Sequence, residues 1–317
     1  MNPGHLPGEE IIDGIIIHRT KRNVGAHLNV PLLIRKLRPE VIVDDMAHVV
    51  PWFSPFFTKA RVIAFFRHYH AMSLPGQVSR PAAGILSGLE RSYPWIYRNS
   101  MFVTETSRGK QDLIHLGVPA THIAQIPPGV DAELFRPAKK TVKPSLVYFG
   151  GMKEYKRPWL AVETLKMLPT DKGIYLVVVG EGKALERMKE KSVKYDLDDR
   201  ITFTGHIPDA ELARIVAGAW ANLHFSVTEG FGLSILEAAA AGTPTVALEA
   251  LGVSEVVNRL GLGKTIRVLN EIPVALSDVL KDNKNWSEKV NASTKLFSWD
   301  RTADMWEDIL RRGAKDV

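Results

Sequence analysis

Glu229-Gly-Phe-Gly-Leu-Ser-Ile-Leu-Glu237, continued by Ala-Ala-Ala-Ala-Gly242-Thr-Pro244-Thr-Val246, is the stretch from which the rest of the chain can be read. It follows Ala221-Asn-Leu-His-Phe225, an apolar run of buried-strand length. Gly230 and Gly232 predict a turn in which the backbone can approach a ligand closely. Leu233 to Ala241 are strong helix formers, and Gly242 and Pro244 supply the stop. The order is therefore strand, glycine turn, helix, strand. The amino end of such a helix carries free N–H groups and partial positive charge, which suits a phosphate. Glu229 precedes that end and Glu237 lies inside the helix, so two carboxylates flank a phosphate-sized cradle. Carboxylates accept hydrogen bonds from paired sugar hydroxyls. The same spacing also fits a buried alanine-rich packing helix with two surface glutamates.

The alternation extends along the chain. Strands are expected at 11–18, 40–44, 61–66, 101–103 and 123–126, with helices at 26–38, 81–98 (broken near Pro94) and 107–116. After the polar, proline-marked segment Leu134-Phe-Arg-Pro137-Ala-Lys-Lys-Thr141 a second series begins. Its strands are expected at 145–149, 174–179, 201–203, 221–225, 245–248 and 265–268. Its helices are expected at 158–168, 183–195, 209–217 and 233–241, with two more at 273–280 and 300–312. Strands alternating with helices predict an α/β fold with parallel sheets covered on both faces.

The chain has 317 residues, 45% hydrophobic, enough for two cored domains. It contains no cysteine, which excludes disulfides, thiolate metal sites and cysteine nucleophiles. No apolar run reaches bilayer-spanning length, and the first residues carry neither a basic nor an apolar leader pattern. The net charge of +6 fits a solvated surface or an anionic partner, either a nucleotide phosphate or an anionic lipid.

Glu229-Gly-Phe-Gly-Leu-x-x-x-Glu237-Ala-x-x-x-Gly242-x-Pro244 resembles the signature of family 4 retaining glycosyltransferases. Thr104 to Val118, Ile126-Pro-Pro-Gly-Val-Asp131 and Phe203-Thr-Gly-His-Ile-Pro-Asp209 extend the likeness over about residues 11–310. The resemblance implies a GT-B fold, two Rossmann-like domains whose parallel sheets face a cleft. It implies an acceptor-side domain at 1–137, a nucleotide-sugar donor domain at 138–295, and a last helix, 296–317, crossing back to the first. It further implies hexose transfer from a nucleotide-diphosphate sugar to an acceptor hydroxyl of a glycan, glycolipid or small molecule. No metal and no other cofactor is expected.

By position, the resemblance assigns Glu229 to the sugar hydroxyls and Glu237 to the ribose. The amides of Gly230, Phe231, Gly232 and Leu233 fall near the sugar and β-phosphate, and His206 and Ile207 beside the base. Lys156 matches the lysine of the diphosphate clamp, with Gly150, Gly151 and Arg157 around it. His68 is the histidine expected to face the sugar, with His70 as the neighbouring choice. His68, Lys156 and Glu229 are thus the expected catalytic residues.

Two departures stand out. Gly151 occupies the position of the clamp arginine, five residues before Lys156, unless Lys153 or Arg157 compensates. The acceptor-side domain begins at a strand resembling a later one, as though its first βαβ unit were absent; that would leave a sheet edge needing a cover. A homo- or hetero-oligomeric partner is one such cover. The expected location is cytoplasmic, or peripheral on the cytoplasmic membrane face for a lipid-linked acceptor; nucleic acid is not an expected partner. The alternatives are a nucleotide-sugar epimerase of the same architecture and a non-catalytic sugar-nucleotide-binding subunit.

Among other features, Asp44-Asp45 reads as a base, a metal ligand or a strand-end cap. Gly180-Glu-Gly182 and Gly261-Leu-Gly263-Lys264-Thr265 are incomplete phosphate-loop patterns. Trp52, Phe53, Phe56 and Phe57 form an aromatic cluster that reads as core, lid or apolar-acceptor platform.

Overall fold

The computed structural model describes residues 6–20, 23–70, 78–250 and 252–312. The polypeptide divides into two compact units, the first 1–104, 112–124 and 312–317, the second 105–111 and 125–311.

In the first unit, β1 (Glu9–Ile12) and β2 (Ile15–His18) pair antiparallel with Ile12 opposite Ile15. The single strand expected at 11–18 is therefore a hairpin. Asp13 and Gly14 both have positive φ, 51° and 81°, as a tight two-residue hairpin turn requires. Helix α1 (Asn23–Leu37) runs through Pro31 and ends at Arg38, whose φ is 46°. Strands β3 (Val41–Met46) and β4 (Arg61–Phe66) follow. Next come α2 (Arg80–Arg91) and the short α3 (Tyr93–Ile96), which has Pro94 in its first turn. Strand β5 (Met101–Thr104), helix α4 (Ser107–Leu116), of which the part before Asp112 counts with the second unit, and strand β6 (Ile123–Gln125) complete the series. The sheet order is β3-β4-β5-β6, and β3, β4 and β5 are parallel. Met46, Phe66, Tyr93, Tyr97, Phe102 and Leu113 form its core.

The second unit contains β7 (Ser145–Phe149), α5 (Trp159–Lys166), β8 (Tyr175–Val179), α6 (Leu185–Lys194), β9 (Ile201–Gly205) and α7 (Asp209–Gly218). Then come β10 (Ala221–His224), α8 (Leu233–Ala240), β11 (Thr245–Leu248), β12 (Gly263–Ile266), α9 (Ile272–Lys281), α10 (Asn283–Thr294) and α11 (Trp299–Arg312). Among the described residues its sheet has the order β12-β11-β10-β7-β8-β9, every pair parallel. All of β7 is buried, as a central strand covered on both faces must be. Its side chains alternate: Leu146 and Tyr148 enter one core, Val147 and Phe149 the other. Each large apolar side chain buried this way stabilises the fold by about 1.5–3 kcal/mol. Helix α10 was not expected from the sequence, and β12 begins two residues before the expected strand.

Candidate active site

The candidate site of the second unit gathers on the loops that follow β7, β8, β9 and β10. Ligand crevices in open parallel sheets lie at the carboxyl ends of the strands. The backbone leaves β7 at Gly150, with a φ of 120°. A Cβ on Gly180 would collide with the Gly150 carbonyl, and one on Gly182 with the Met152 backbone. The glycines after β8 therefore allow two loops to pack backbone to backbone, with Met152 N–H donating to Glu181 O at 2.9 Å. That explains Gly180-Glu-Gly182 without a dinucleotide. Gly263 serves a similar purpose, since a Cβ there would strike the Thr245 backbone across the β11–β12 pair. Lys264 is ion-paired to Asp278.

These loops enclose a cavity of about 370 Å³ lined by Gly150, Gly151, Glu181, His206, Ile207 and Asp209, among others. Gly150, Gly151, His206 and Ile207, expected together from the resemblance, do meet here. Glu181 and Asp209 were not singled out from the sequence. Glu181 Oε1 accepts the His206 N–H at 3.3 Å.

The turn after β10 forms the adjoining part. Gly232, with a φ of 83°, caps α8, so the amides at Leu233 and beyond open the helix. The Phe231 side chain is buried, its ring 5.8 Å from that of Phe297, so any ligand contact there falls to its backbone. The Ser226 hydroxyl donates to Glu229 Oε1 at 2.7 Å, and Lys156 Nζ lies 3.4 Å from the same oxygen. His224 Nε2 is 3.6 Å from it.

Burial pushes the Glu229 carboxyl up, but His224, Lys156 and the Ser226 hydroxyl outweigh it and hold the group below its ordinary value. Burial also drives His224 down to about 4, with Lys156 and Arg157 adding to that shift and Glu229 opposing it. The imidazole is therefore uncharged at neutral pH. Under those conditions Lys156 and Ser226 are what keep Glu229 ionised. Glu237 behaves oppositely: burial, then Asp209, raise it to about 7 against the pull of Lys156. One glutamate is thus a fixed anion and the other sits near its titration point.

Arg157 adopts a left-handed conformation, φ 47°, and its Nε donates to Phe225 O at 2.7 Å. With Val227 N–H donating to Tyr155 O at 2.9 Å, the guanidinium fastens the Lys156 loop to the Glu229 loop. The Lys153 ammonium lies 5.9 Å from the Tyr155 ring centroid.

In the first unit, His68 and His70 follow β4 with ring centroids 4.3 Å apart. The buried Glu90 carboxylate accepts the His70 backbone N–H at 2.7 Å and lies 3.0 Å from its Nδ1. Asp44 is buried and accepts from Ser54 Oγ at 2.6 Å and from the Tyr97 hydroxyl at 2.8 Å. Burial nevertheless raises its carboxyl above the ordinary value. Asp45 pairs with Arg67 at 2.9 Å. Both aspartates hold the end of β3 in place. In the aromatic cluster, Phe53 packs against the core, Trp52 stacks on His27, and Phe56 and Phe57 are half exposed.

Among the described residues no helix is long and apolar enough to cross a membrane. The family described as Glycosyl transferases group 1 matches residues 130–289, and that described as Glycosyltransferase Family 4 matches 4–134. One relative, a phosphatidylinositol N-acetylglucosaminyltransferase subunit of Arabidopsis thaliana, is 28% identical over 226 residues, 67% of this chain and 49% of the relative. A GDP-mannose-dependent alpha-(1-6)-phosphatidylinositol monomannoside mannosyltransferase of Mycobacterium tuberculosis is 29% identical over 223 residues, 61% of this chain and 57% of the relative. The chain thus spans about half the length of these curated relatives. Among solved structures, sucrose-phosphate synthase from Thermosynechococcus elongatus superposes with a TM-score of 0.79 at 20% identity, covering 98% of this chain and 86% of that one. WaaG, a glycosyltransferase involved in lipopolysaccharide biosynthesis, gives 0.72 at 16% identity, covering 92% and 85%. The two Rossmann-like units are those of a GT-B fold, and the chain belongs to the group 1 glycosyl transferases, family 4.

Proposed function

We propose that this chain moves a hexose from a nucleotide-diphosphate sugar to an acceptor hydroxyl, with retention of anomeric configuration and without a metal. The donor is held by 138–295 and the acceptor, a glycan, glycolipid or small molecule, by 1–137. The enzyme works in the cytoplasm or peripherally on the cytoplasmic membrane face. The observation that carries the reading is the Glu229–Lys156–Ser226 cluster beside the amino end of α8. In this reading Glu229 accepts from sugar hydroxyls, Glu237 from the ribose, and His206 and Ile207 flank the base.

When the bond between the anomeric carbon and the phosphate oxygen breaks, its electron pair goes to the diphosphate. The acceptor oxygen forms the new bond on the same face, and its proton passes to the departing phosphate oxygen. Lys156 and the first amides of α8 then meet the charge that develops on that phosphate, where preorganised donors are most effective. His68, after β4, is the residue of the first unit that this reading adds to the catalytic set.

Gly151 favours one second reading, a sugar-nucleotide-binding subunit with little turnover of its own, since the position lacks the clamp guanidinium. The relative from Arabidopsis thaliana is itself a subunit by name. The test is to screen nucleotide sugars for binding by calorimetry, then incubate bound donors with acceptors and follow the product anomer by NMR. Binding with a retained anomer supports the transferase. Binding with no product in any combination supports the subunit reading, and epimerised donor without acceptor supports an epimerase.

A further inference from the structure

Among the described residues, two parts of the first unit are left uncovered, and they complement each other. The first is the β1–β2 hairpin, in which Ile11 stands opposite Ile16 and Ile12 opposite Ile15. Neighbouring residues of a strand point to opposite faces, so each face of the ribbon carries one isoleucine pair. Both pairs meet solvent: Ile11 is 69%, Ile16 54%, Ile12 43% and Ile15 66% exposed. A two-stranded ribbon is marginal in water by itself and needs apolar cover.

The second part is the outer edge of β3. Among the described residues β3 pairs with β4 alone, at the end of its sheet. Asp45 O on β3 accepts the Trp52 indole N–H at 2.8 Å; the rest of the edge is open to a further strand. Beside it runs an apolar groove of about 380 Å³, lined by Val30, Leu33, Ile34 and Leu37 of α1 and by Val41 and Val43 of β3.

Charge distinguishes the two parts. Residues 6–19 hold Glu9, Glu10 and Asp13 against Arg19. Around the groove Arg35, Lys36 and Arg38 are exposed, with Glu40 among them. Asp44 is engaged by Ser54 and Tyr97, and Asp45 by Arg67. An acidic ribbon with two apolar faces thus exists in the same chain as a basic-rimmed apolar groove beside an open sheet edge.

We propose that two copies of this chain exchange their β1–β2 hairpins, each lying along the β3 edge and the α1–β3 groove of the other. The added ribbon extends the β3-β4-β5-β6 sheet by main-chain hydrogen bonds, while its isoleucines leave water. Exchange of one element between identical chains closes with two-fold symmetry, so both β3 edges are covered. Charge complementarity selects hairpin-to-groove docking over β3-to-β3 pairing, which would set Arg35, Lys36 and Arg38 of the two copies against each other. The inference goes beyond the transferase reading and does not depend on it.

The test uses the full chain, its mass followed by light scattering after size exclusion over a range of concentrations. A dimer is expected. Ile11→Asp with Ile15→Asp, which places a charge on each face of the ribbon, should weaken it at least about a hundredfold. The hairpin variant Glu9→Lys, Glu10→Lys and the groove variant Arg35→Glu, Lys36→Glu should each dimerise poorly alone. Mixed, they should associate, since acidic hairpin then meets basic groove and basic hairpin meets acidic groove.

Should a charge variant fail to fold, judged by its unfolding temperature, cross-linking carries the test. The chain has no cysteine, so Ile16→Cys and Val43→Cys chains carry one thiol each. Oxidised together they are expected to form a disulfide-linked pair, and neither should do so efficiently alone. A monomer at every concentration, or a dimer undiminished by the folded Ile11→Asp, Ile15→Asp variant, overturns the proposal. So does efficient cross-linking of Val43→Cys with itself, which would mean β3-to-β3 pairing. A cross-linked monomer of the Ile16→Cys, Val43→Cys double variant would likewise overturn it, by placing each hairpin on its own groove.

Discussion

Lys156 Nζ lies 3.4 Å from Glu229 Oε1, although the two residues come from loops after different strands. The pair is largely shielded, with 22% and 14% of the side chains exposed, so the ammonium helps keep Glu229 ionised; in the proposed reading it also meets the donor phosphate. Lys156→Met is expected to reduce turnover about 10²–10³-fold, the usual effect of losing one preorganised donor. Donor affinity should fall far less, because the charge it meets develops in the transition state. Steady-state kinetics beside calorimetry on one preparation checks this; an equal loss in both would make Lys156 a ground-state contact only.

The two glutamates should separate by ligand. Glu229→Gln is expected to weaken binding of the intact sugar nucleotide and leave the nucleoside diphosphate nearly unaffected. Glu237→Gln should weaken both. Each lost charge-assisted hydrogen bond corresponds to about 1.5–3 kcal/mol. Parallel titrations with the two ligands decide the assignment, and identical losses for both ligands in both variants would remove it.

Glu237 gives a pH dependence of defined sign. Its carboxyl is raised to about 7 in the folded chain, above the ordinary 4.5. Between those values the folded state binds more protons than the unfolded one, so this group's stabilising contribution is complete below about 4.5 and is lost as pH rises through about 7. Ribose hydroxyls need the ionised carboxylate as acceptor, so nucleotide binding should do the reverse. Affinity is expected to rise with pH by up to about tenfold per unit below pH 7, with proton release on binding. Calorimetry in buffers of different ionisation enthalpy reads that release, and Glu237→Gln should abolish it.

Metal removal forms a further check. With Lys156 and the α8 amides meeting the diphosphate, donor binding is expected to be unchanged in EDTA. A requirement for added Mn²⁺ or Mg²⁺ in a binding titration would contradict that account.

The parts of this fold that were legible in the sequence are those where local chemistry and tertiary role agree. Gly232 has to adopt positive φ before α8, and the helix formers after it fill one helix, so the strand-turn-helix reading of 221–242 holds to within a residue. Where the role is set by how a loop folds or by a partner on another element, the sequence was silent. Ser226 and His224 acquire meaning only when Glu229 folds back on them, though a histidine inside the apolar run Ala221–Phe225 was a signal that could have been used. Helix α10, Asn-Lys-Asn-Trp-Ser-Glu-Lys-Val-Asn-Ala-Ser-Thr, has little apolar periodicity; it is held by contacts such as Asn283 to Trp220 O and Asn291 to Ala240 O. The hairpin at Glu9–His18 was missed for a different reason. Asp13-Gly14 is a strong turn signal, but the apolar run Ile15–Ile17 drew it into one strand.

Gly151 is the position where the site departs furthest from the resemblance, and its surroundings make the departure reversible. It is exposed, its φ lies outside the left-handed range, and a Cβ built on it meets nothing within 4 Å. Its neighbour Gly150, at φ 120°, would be strained by any side chain. An arginine is therefore sterically acceptable at 151, at the rim of the cavity that also holds His206 and Asp209. Arg157 cannot readily substitute for it, since its Nε is committed to the Phe225 carbonyl. A guanidinium at 151 would add bidentate donors to the diphosphate, which a lone lysine does not provide. Gly151→Arg is expected to raise turnover, by at most about 10²–10³-fold, with unfolding temperature unchanged. Gly151→Lys should give a smaller gain and Gly151→Gln little. A folded Gly151→Arg protein with unaltered turnover would show that another group already supplies the missing clamp. Lys153 is then the residue to change next, and a fall in turnover for Lys153→Met would identify it.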